Sequence, residues 1–547
     1  MLSEKIVEAL KRLGFKPIAY NIDEPPSRLM GDFSSNVAMV TAGIEKKNPK
    51  EVASIIKSEL EKDQDIERVE IAGPGFINIT LKPEIYLTEL GKIVKLEMEY
   101  GRSNTGKGKK VNVEYVSANP TGPLHIGNAR SGPIGEAIAN LFEFQGFEVE
   151  REFYVNDIGV QIKRFGNSLA YWYLINSDTN LEFPADGYPG EYIKETSEKI
   201  QSEKKDELIL KSDEELVEFF AKEGLKIMVE NIKSDLGLAG INIHTFSYES
   251  QIVGLDKSKL VIKKLEGKGF TAEKDGAVWF KNPEDPDLKD DDAVLVKSDE
   301  NKSLTYFAND IAYHLDKIER GSEKLIDVWG ANHFGHIPRM KAALRSLGCQ
   351  DDILEIVLYQ YVRLKKAGES TSMGKRLGNF VTLRAVIEAG VAPDAFKYFV
   401  LSQNSNTPFD FDIELAADTS EKNPVYYIKY AHARICSILR KIGDQGIFGG
   451  ESANLQLLKD DKELALYKEL VKFPALVQET IEDFQIQRLP HFAYKIAGLF
   501  HDFYNSCRVI GAETKELELA RLSLILATKN IIASTLNLCG IEAPEKM

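Results

Sequence analysis

The sequence predicts an α/β protein carrying an α+β module at its amino end and an all-α helical bundle at its carboxyl end, on three observations. VNVEYV (residues 111–116) alternates β-branched and polar residues, and after a loop rich in Pro and Gly comes a helix-like run, GEAIANLFEFQG (135–146). Residues 1–100 mix helical stretches with strand-like alternation, as in VEIAGPGFINITL (69–81), where Gly-Pro-Gly marks a turn. From about residue 416 onward, apolar residues recur at three- and four-residue steps with short connections between, the pattern of a bundle.

Length and composition bound the rest. A chain of 547 residues with 43% hydrophobic content exceeds what one core usually holds, so several domains are expected. They are placed at 1–100, at 101–415 (with an insertion at about 165–300 and a mobile lysine loop at about 365–383) and at 416–547. The basic stretch GRSNTGKGKK (101–110) reads as a flexible linker. It nearly spells a phosphate-binding P-loop, but Gly108 stands where Ser or Thr must hold the metal, and the strand follows rather than precedes it. The cysteines Cys349, Cys436, Cys507 and Cys539 are scattered with no C-x-x-C pair, so neither a zinc site nor a disulfide framework is expected. Residues 1–15 carry charge throughout and no stretch approaches a membrane span, so a cytoplasmic protein without a membrane partner is expected. The net charge of −15 argues against a polyanion partner by itself. Basic clusters at 107–110, 363–366 and 375–376 nevertheless stand apart from acidic runs such as 284–292, leaving local RNA-binding patches open.

The densest chemistry lies between the strand and the helix, in SANPTGPLHIGNAR (117–130). A strand-loop-helix crossing is where α/β sheets take nucleotides. Pro120, Gly122, Pro123 and Gly127 clear side chains from the approach, and the following helix offers unpaired N–H groups to phosphate. His125 adds a donor for phosphate oxygens, and Gly127 leaves a bare backbone for a flat base.

HIGN (125–128) resembles the HIGH motif of class I aminoacyl-tRNA synthetases, and VEYVSANPTGPLHIGNAR is similar to its arginyl-tRNA synthetase form. The resemblance implies a Rossmann-like class I catalytic domain that joins ATP and L-arginine into arginyl-adenylate, then passes the arginyl group to the terminal ribose of tRNA(Arg). It implies ATP contacts from Pro120, Gly122, His125, Gly127, Asn128, Met373 and Lys375, with His125, Asn128, Lys375 and Arg376 in catalysis and Mg²⁺ arriving with ATP. STSMGKRLGNFVTL (370–383) resembles the mobile lysine loop of these enzymes, but Ser372 and Gly374 replace two of its motif positions. Met373, Lys375 and Arg376 remain, and Lys365 or Lys366 is a substitute for the missing lysine.

LTYFANDIAYHLDKIERG (304–321) places Tyr306 and Asp310 four residues apart; in the resembling family such a pair binds arginine. A carboxylate suits the planar fork of a guanidinium. Glu114 is expected as a second carboxylate, with Ser117 and Asn119 orienting the amino acid's ends and His333 near the amino acid or the ribose. On its own, Asp310 reads as a helix N-cap and Tyr306 as core. The chain departs from the family at Asn332, where an Asp precedes the His, and at Ile243-His244 and Tyr248-Glu249, onto which no role is carried. His333 and His336 lie three apart without a nearby third ligand, so no metal is assigned.

For tRNA, the resemblance points to an exposed Phe76 with Asn78 in the amino-terminal module. In the helical region it points to Tyr430, Arg434, Tyr504 and Arg508, types that stack on unpaired bases and pair with them. A monomer is expected, and tRNA binding is implied to precede activation. Two alternatives stand beside this reading: a class I synthetase for another amino acid, and a non-catalytic RNA-binding relative.

Overall fold

The computed structural model describes the chain apart from residues 1, 17, 28–29, 177–180, 209–210, 289–291, 367–368, 372–380 and 444–452. It divides into two compact units. One combines Met1–Glu97 with Gly446–Val471 and Phe503–Ala527, and the other combines Met98–Gln445 with Lys472–Asp502 and Thr528–Met547.

In the first unit, β1 (Ile22–Asp23), β2 (Phe33–Ser35), β3 (Ile66–Ala72) and β4 (Phe76–Leu81) form an antiparallel sheet in the order β1-β2-β4-β3. The helix Pro49–Leu60 packs its Val52, Ala53, Ile56 and Leu60 inward; it starts where Asn48 caps and Pro49 takes the first-turn position that needs no N–H. Asp32 ties the module to a later segment: its carboxylate accepts from Leu81 N at 3.0 Å and pairs with Lys468 at 2.7 Å.

The second unit is built on a five-stranded sheet of β5 (Lys110–Glu114), β6 (Glu148–Val155), β7 (Thr245–Tyr248), β11 (Ser322–Gly330) and β12 (Leu354–Tyr359). The order is β12-β11-β5-β6-β7 and every pairing is parallel. The chain runs outward from central β5 through β6 to β7, then returns to the other side of β5 for β11 and β12. The reversal makes the gap beyond the carboxyl ends of β5 and β11 the topological switch point, where such sheets bind ligands. Central β5 is covered on both faces, as parallel strands are, so its polar residues are buried with its valines and must find partners inside. The helix Ser131–Phe144 lies close on this strand because Gly135 has no side chain: a Cβ there would stand 2.2 Å from the Tyr115 ring.

Between β7 and β11, β8 (Thr271–Lys274), β9 (Ala277–Phe280) and β10 (Ala293–Val296) form a small antiparallel sheet. Phe307, Ile311, Leu325, Met340, Leu344 and Leu354 share one core, which fixes the helix Tyr306–Glu319 against β11. After β12, β13 (Val362–Lys366) pairs antiparallel with β14 (Glu369–Thr371) and parallel with β15 (Phe409–Asp412). Long helices fill the carboxyl third, among them Pro424–Gly443, Arg488–Ser506 and Lys515–Leu538.

Two expectations are corrected. Residues 101–110 are folded down rather than forming a flexible linker: a Cβ on Gly106 would come within 2.2 Å of the Phe147 ring. One stretch does reach membrane-span length and apolarity, the helix Lys515–Leu538, and 83% of its most apolar part is buried inside the protein as core.

Candidate active site

The site grows from the carboxyl end of β5. After Glu114 the chain turns sharply, with Val116 at φ 70° and Ser117 at φ 35°, left-handed values that a β-branched residue seldom takes. The turn is held on both sides. Val116 N donates to Ser131 Oγ at 3.2 Å, Ser117 Oγ donates to Glu114 Oε1 at 2.7 Å, and Tyr154 N donates to Ser117 Oγ at 3.0 Å.

The loop then reaches His125, which caps the turn Ile126–Ala129; Asn128 N donates to His125 Nδ1 at 3.1 Å. With Nδ1 accepting, a neutral ring carries its proton on Nε2, leaving that nitrogen a donor. Gly127 lies close to this ring: a Cβ there would stand 3.0 Å from His125 Nδ1. Gly122 is similarly tight against Tyr192, whose hydroxyl donates to Thr121 O at 2.9 Å.

Residues 381–383 lie alongside: Ile126 N donates to Val381 O at 3.1 Å, Leu383 N to Leu124 O at 2.8 Å, and His125 bridges Thr382. The chain that follows the lysine-loop segment is therefore laced to the His125 loop. Ser372, Met373, Gly374, Lys375 and Arg376 themselves lie outside the described residues.

Arg130, at the end of the same loop, is fully buried, with no carboxylate neighbour among the described residues. Its guanidinium donates to the carbonyls of Gln360 (2.7 Å), Thr407 (2.8 Å) and Asn404 (3.0 Å) and lies 5.3 Å over the Phe409 ring. Burial alone pushes it down to about 10.

The opposite wall is the helix Tyr306–Glu319. Its cap is Thr305, whose hydroxyl accepts from Ala308 N at 3.3 Å, so Asp310 is free of the capping role its residue type suggests. Tyr306 is 51% exposed rather than core, and a Cβ on Gly159 (φ 91°) would stand 2.9 Å from its hydroxyl. Asp310 is half-buried, and burial pushes its carboxyl up to about 7; His314 opposes this, while Glu249, Glu114 and Asp327 add to it. Glu249 is buried and accepts from Asn309 Nδ2 at 2.8 Å; Asp157 accepts from Ser250 N at 2.9 Å and Ser250 Oγ at 2.6 Å.

Glu114, expected as a second partner for a guanidinium, is 6% exposed and has both oxygens engaged inside the protein. Lys317 Nζ lies 2.6 Å from Glu114 Oε2 and 2.9 Å from Asp327 Oδ1, and His314 Nε2 meets Asp327 Oδ2 at 2.8 Å. Burial works against charge on both cations. Asp327 nevertheless holds His314 up, and Asp327 with Glu114 holds Lys317 up, while Asp327 is kept below the usual carboxylate range by Lys317 and His314.

The structure thus brings Glu114, Ser117, Tyr306 and Asp310 to one end of the sheet, and Lys317, Asp327, His314, Glu249 and Arg130 join them. Asn119 and Asn128 are half-buried in the His125 loop, and Pro120 is buried. His333 is exposed on the short helix Ala331–His336 with its ring 6.2 Å from Trp329, next to exposed Asn332. Beside the site a cavity of about 980 Å³ opens between the helices Val160–Leu174 and Asp213–Leu238, reaching Asp157, Gly159 and Tyr248.

Of the expected RNA contacts, Phe76 stands exposed at the start of β4, whereas Asn78 is buried and withdrawn from that surface. Arg434 lies 5.5 Å over Tyr430, whose ring stacks on His501 at 6.0 Å. Tyr504 is half-buried, and exposed Arg508 donates from Nε to Ile510 O at 3.0 Å.

Comparison with known proteins identifies the family. Residues 1–81 match the arginyl-tRNA synthetase N-terminal domain, 89–397 the class I (R) tRNA synthetase catalytic domain, and 428–547 the DALR anticodon-binding domain. The chain is 40% identical to arginine–tRNA ligase 1 of Halalkalibacterium halodurans, over 100% of this chain and 98% of that one. It is 42% identical to the arginine–tRNA ligase of Caldanaerobacter subterraneus subsp. tengcongensis, over 96% and 93%. Its fold is similar to that of the Thermus thermophilus arginyl-tRNA synthetase, with a TM-score of 0.81 at 22% identity, covering 100% of this chain and 99% of that one.

Proposed function

The chain belongs to the class I arginyl-tRNA synthetases, and from that membership we propose how its own residues divide the work of an arginine–tRNA ligase. ATP and L-arginine give arginyl-adenylate and pyrophosphate, and the arginyl group then passes to tRNA.

The observation that carries the proposal is Asp310. Among the described residues its carboxylate has no ion-pair partner; burial, joined by Glu249, Glu114 and Asp327, outweighs the nearby His314 and raises it to about 7. Such a group gains most from a cation that brings its own hydrogen-bond donors, and a guanidinium supplies two parallel ones. In this reading the guanidinium lies on Asp310 with Tyr306 beside it, near Glu249. The amino-acid end points toward Ser117 and Asn119, with His333 toward the ribose. Glu114 serves from behind, through Ser117, instead of gripping the guanidinium.

ATP enters as its Mg²⁺ complex along Pro120, Gly122, Gly127 and Asn128. An arginine carboxylate oxygen attacks the α-phosphorus, and the bond to the β-phosphate breaks. His125 donates from Nε2 to the phosphates, Met373 joins the ATP contacts, and Lys375 and Arg376 meet the charge gathering on pyrophosphate. The tRNA ribose hydroxyl then attacks the arginyl carbonyl, loses its proton, and AMP leaves. No covalent enzyme intermediate is needed, so catalysis is alignment and charge stabilisation.

Phe76 in the amino-terminal module and Tyr430, Arg434, Tyr504 and Arg508 in the helical region are proposed to contact tRNA. The bacterial relatives and the four free cysteines support a cytoplasmic setting, and a monomer is proposed. Charging of tRNA with arginine, against lysine and against citrulline (arginine's shape without its charge), tests the site. Arginine alone should be ligated; equal use of citrulline would remove Asp310's charge from the account.

A further inference from the structure

Lys317 is buried completely, unusual for a lysine and costly unless its charge is met. It is met across the switch point. Glu114 and Asp327 are register partners on β5 and β11, and Nζ lies 2.6 Å from one carboxylate and 2.9 Å from the other, with the Tyr313 ring 4.5 Å away. Beyond Glu114 the connection continues: Ser117 Oγ donates to its second oxygen and accepts from Tyr154 N, and Ser117 and Val116 form the left-handed turn that opens the His125 loop. A strained turn persists only where its surroundings hold it, and one holding point here depends on Glu114 keeping an acceptor oxygen aimed at Ser117 Oγ.

We propose that Lys317 is a positioning residue for arginine: without touching the substrate, it fixes Glu114 and through it the Val116–Ser117 turn that presents Ser117 and Asn119. By neutralising Glu114 it also leaves Asp310 to answer the guanidinium. The inference rests on the placement of arginine between Asp310 and Ser117 given above. Groups facing the pair are Ser117 from the loop, Tyr154 and Glu152 from β6, Asp310, Tyr313 and His314 from the helix, and Asp327 from β11. Lys317 is the ammonium among them, so removing it leaves Glu114 buried next to further acids.

The test uses the full-length enzyme charging tRNA, with KM for arginine and for ATP measured from about pH 6 to about pH 8.5. K317M should raise the arginine KM about tenfold or more while the ATP KM moves less than about twofold. The defect should deepen as pH rises, because the unpartnered Glu114 ionises at a cost. E114Q/K317M keeps an acceptor for Ser117 without the stranded charge; it should recover most of the arginine KM and lose the pH trend. Equal increases in both KM values without a pH trend, or a double variant no better than the single one, would overturn the proposal. If K317M does not fold, the double variant decides: an arginine KM within about threefold of wild type supports the proposal, and a rise matching that of D310A overturns it. D310A run in parallel separates the two levels: an unchanged arginine KM there overturns the arginine placement, and the Lys317 inference with it.

Discussion

Asp310→Asn keeps the side chain's shape and removes its charge, so it isolates what the carboxylate does. If a guanidinium binds there through a charged bidentate contact, the loss is about 3 kcal/mol, or about two orders of magnitude in kcat/KM for arginine. The pH dependence is the sharper signature. In the free enzyme the carboxyl is raised from 3.8 to about 7, so below neutrality it is protonated and a poor partner for a cation. Wild-type kcat/KM for arginine should therefore climb as pH approaches about 7 and level off above it. D310N should be low and flat across the same window. Stability should move the other way. A carboxyl with a raised folded pKa binds more protons folded than unfolded between those values, so its contribution is lost as pH rises through about 7. Raising the carboxyl from 3.8 to about 7 corresponds to at most about 4 kcal/mol, less where water reaches the half-buried group. D310N should thus resist denaturant better than wild type at alkaline pH and equally below about pH 4. Steady-state charging and denaturant titration across pH read both effects. A D310N enzyme with wild-type arginine kcat/KM, or with the wild-type pH profile intact, would refute the reasoning.

Three further substitutions probe the frame around this pocket. His125→Ala should lower arginine-dependent ATP–pyrophosphate exchange by about 10²–10³-fold while costing only about 1 kcal/mol of stability through the lost cap; unchanged exchange would contradict its role. Gly159→Ala adds a Cβ 2.9 Å from the Tyr306 hydroxyl at a φ of 91°, so it should displace that ring and raise the arginine KM about tenfold, with ATP little affected. A variant with ordinary arginine kinetics would take Tyr306 out of the pocket. Arg130→Lys cannot serve three carbonyls with one ammonium and should lose about 2–4 kcal/mol in denaturant unfolding; a loss under about 0.5 kcal/mol would show that the buried fork matters little.

What the sequence disclosed follows the range of the forces involved. The crossing at 111–130 was legible because Pro, Gly and His act on their own neighbours, and the helical bundle because periodicity is local. Tyr306 and Asp310 were legible only through family resemblance; spacing alone reads them as core and cap, whereas Thr305 does the capping and Tyr306 is exposed. Lys317 was illegible: it sits in DKIER like any solvent lysine, and its partner Glu114 is 203 positions away. Arg130 was hidden likewise, since its acceptors are carbonyls, which leave no trace in residue identity, 230 to 277 positions on. The bare backbone of Gly127 is readable from residue type, whereas the 3.0 Å approach of its own loop's histidine to a Cβ there is a property of the folded loop.

The most direct measurement is a crystal structure of the enzyme with bound L-arginine. The account predicts the guanidinium within hydrogen-bonding distance of both Asp310 oxygens, beside the Tyr306 ring, with the α-amino end at Ser117 and Asn119 and Lys317 still on Glu114. A guanidinium bound elsewhere, with the Asp310 carboxylate facing only water, would contradict it.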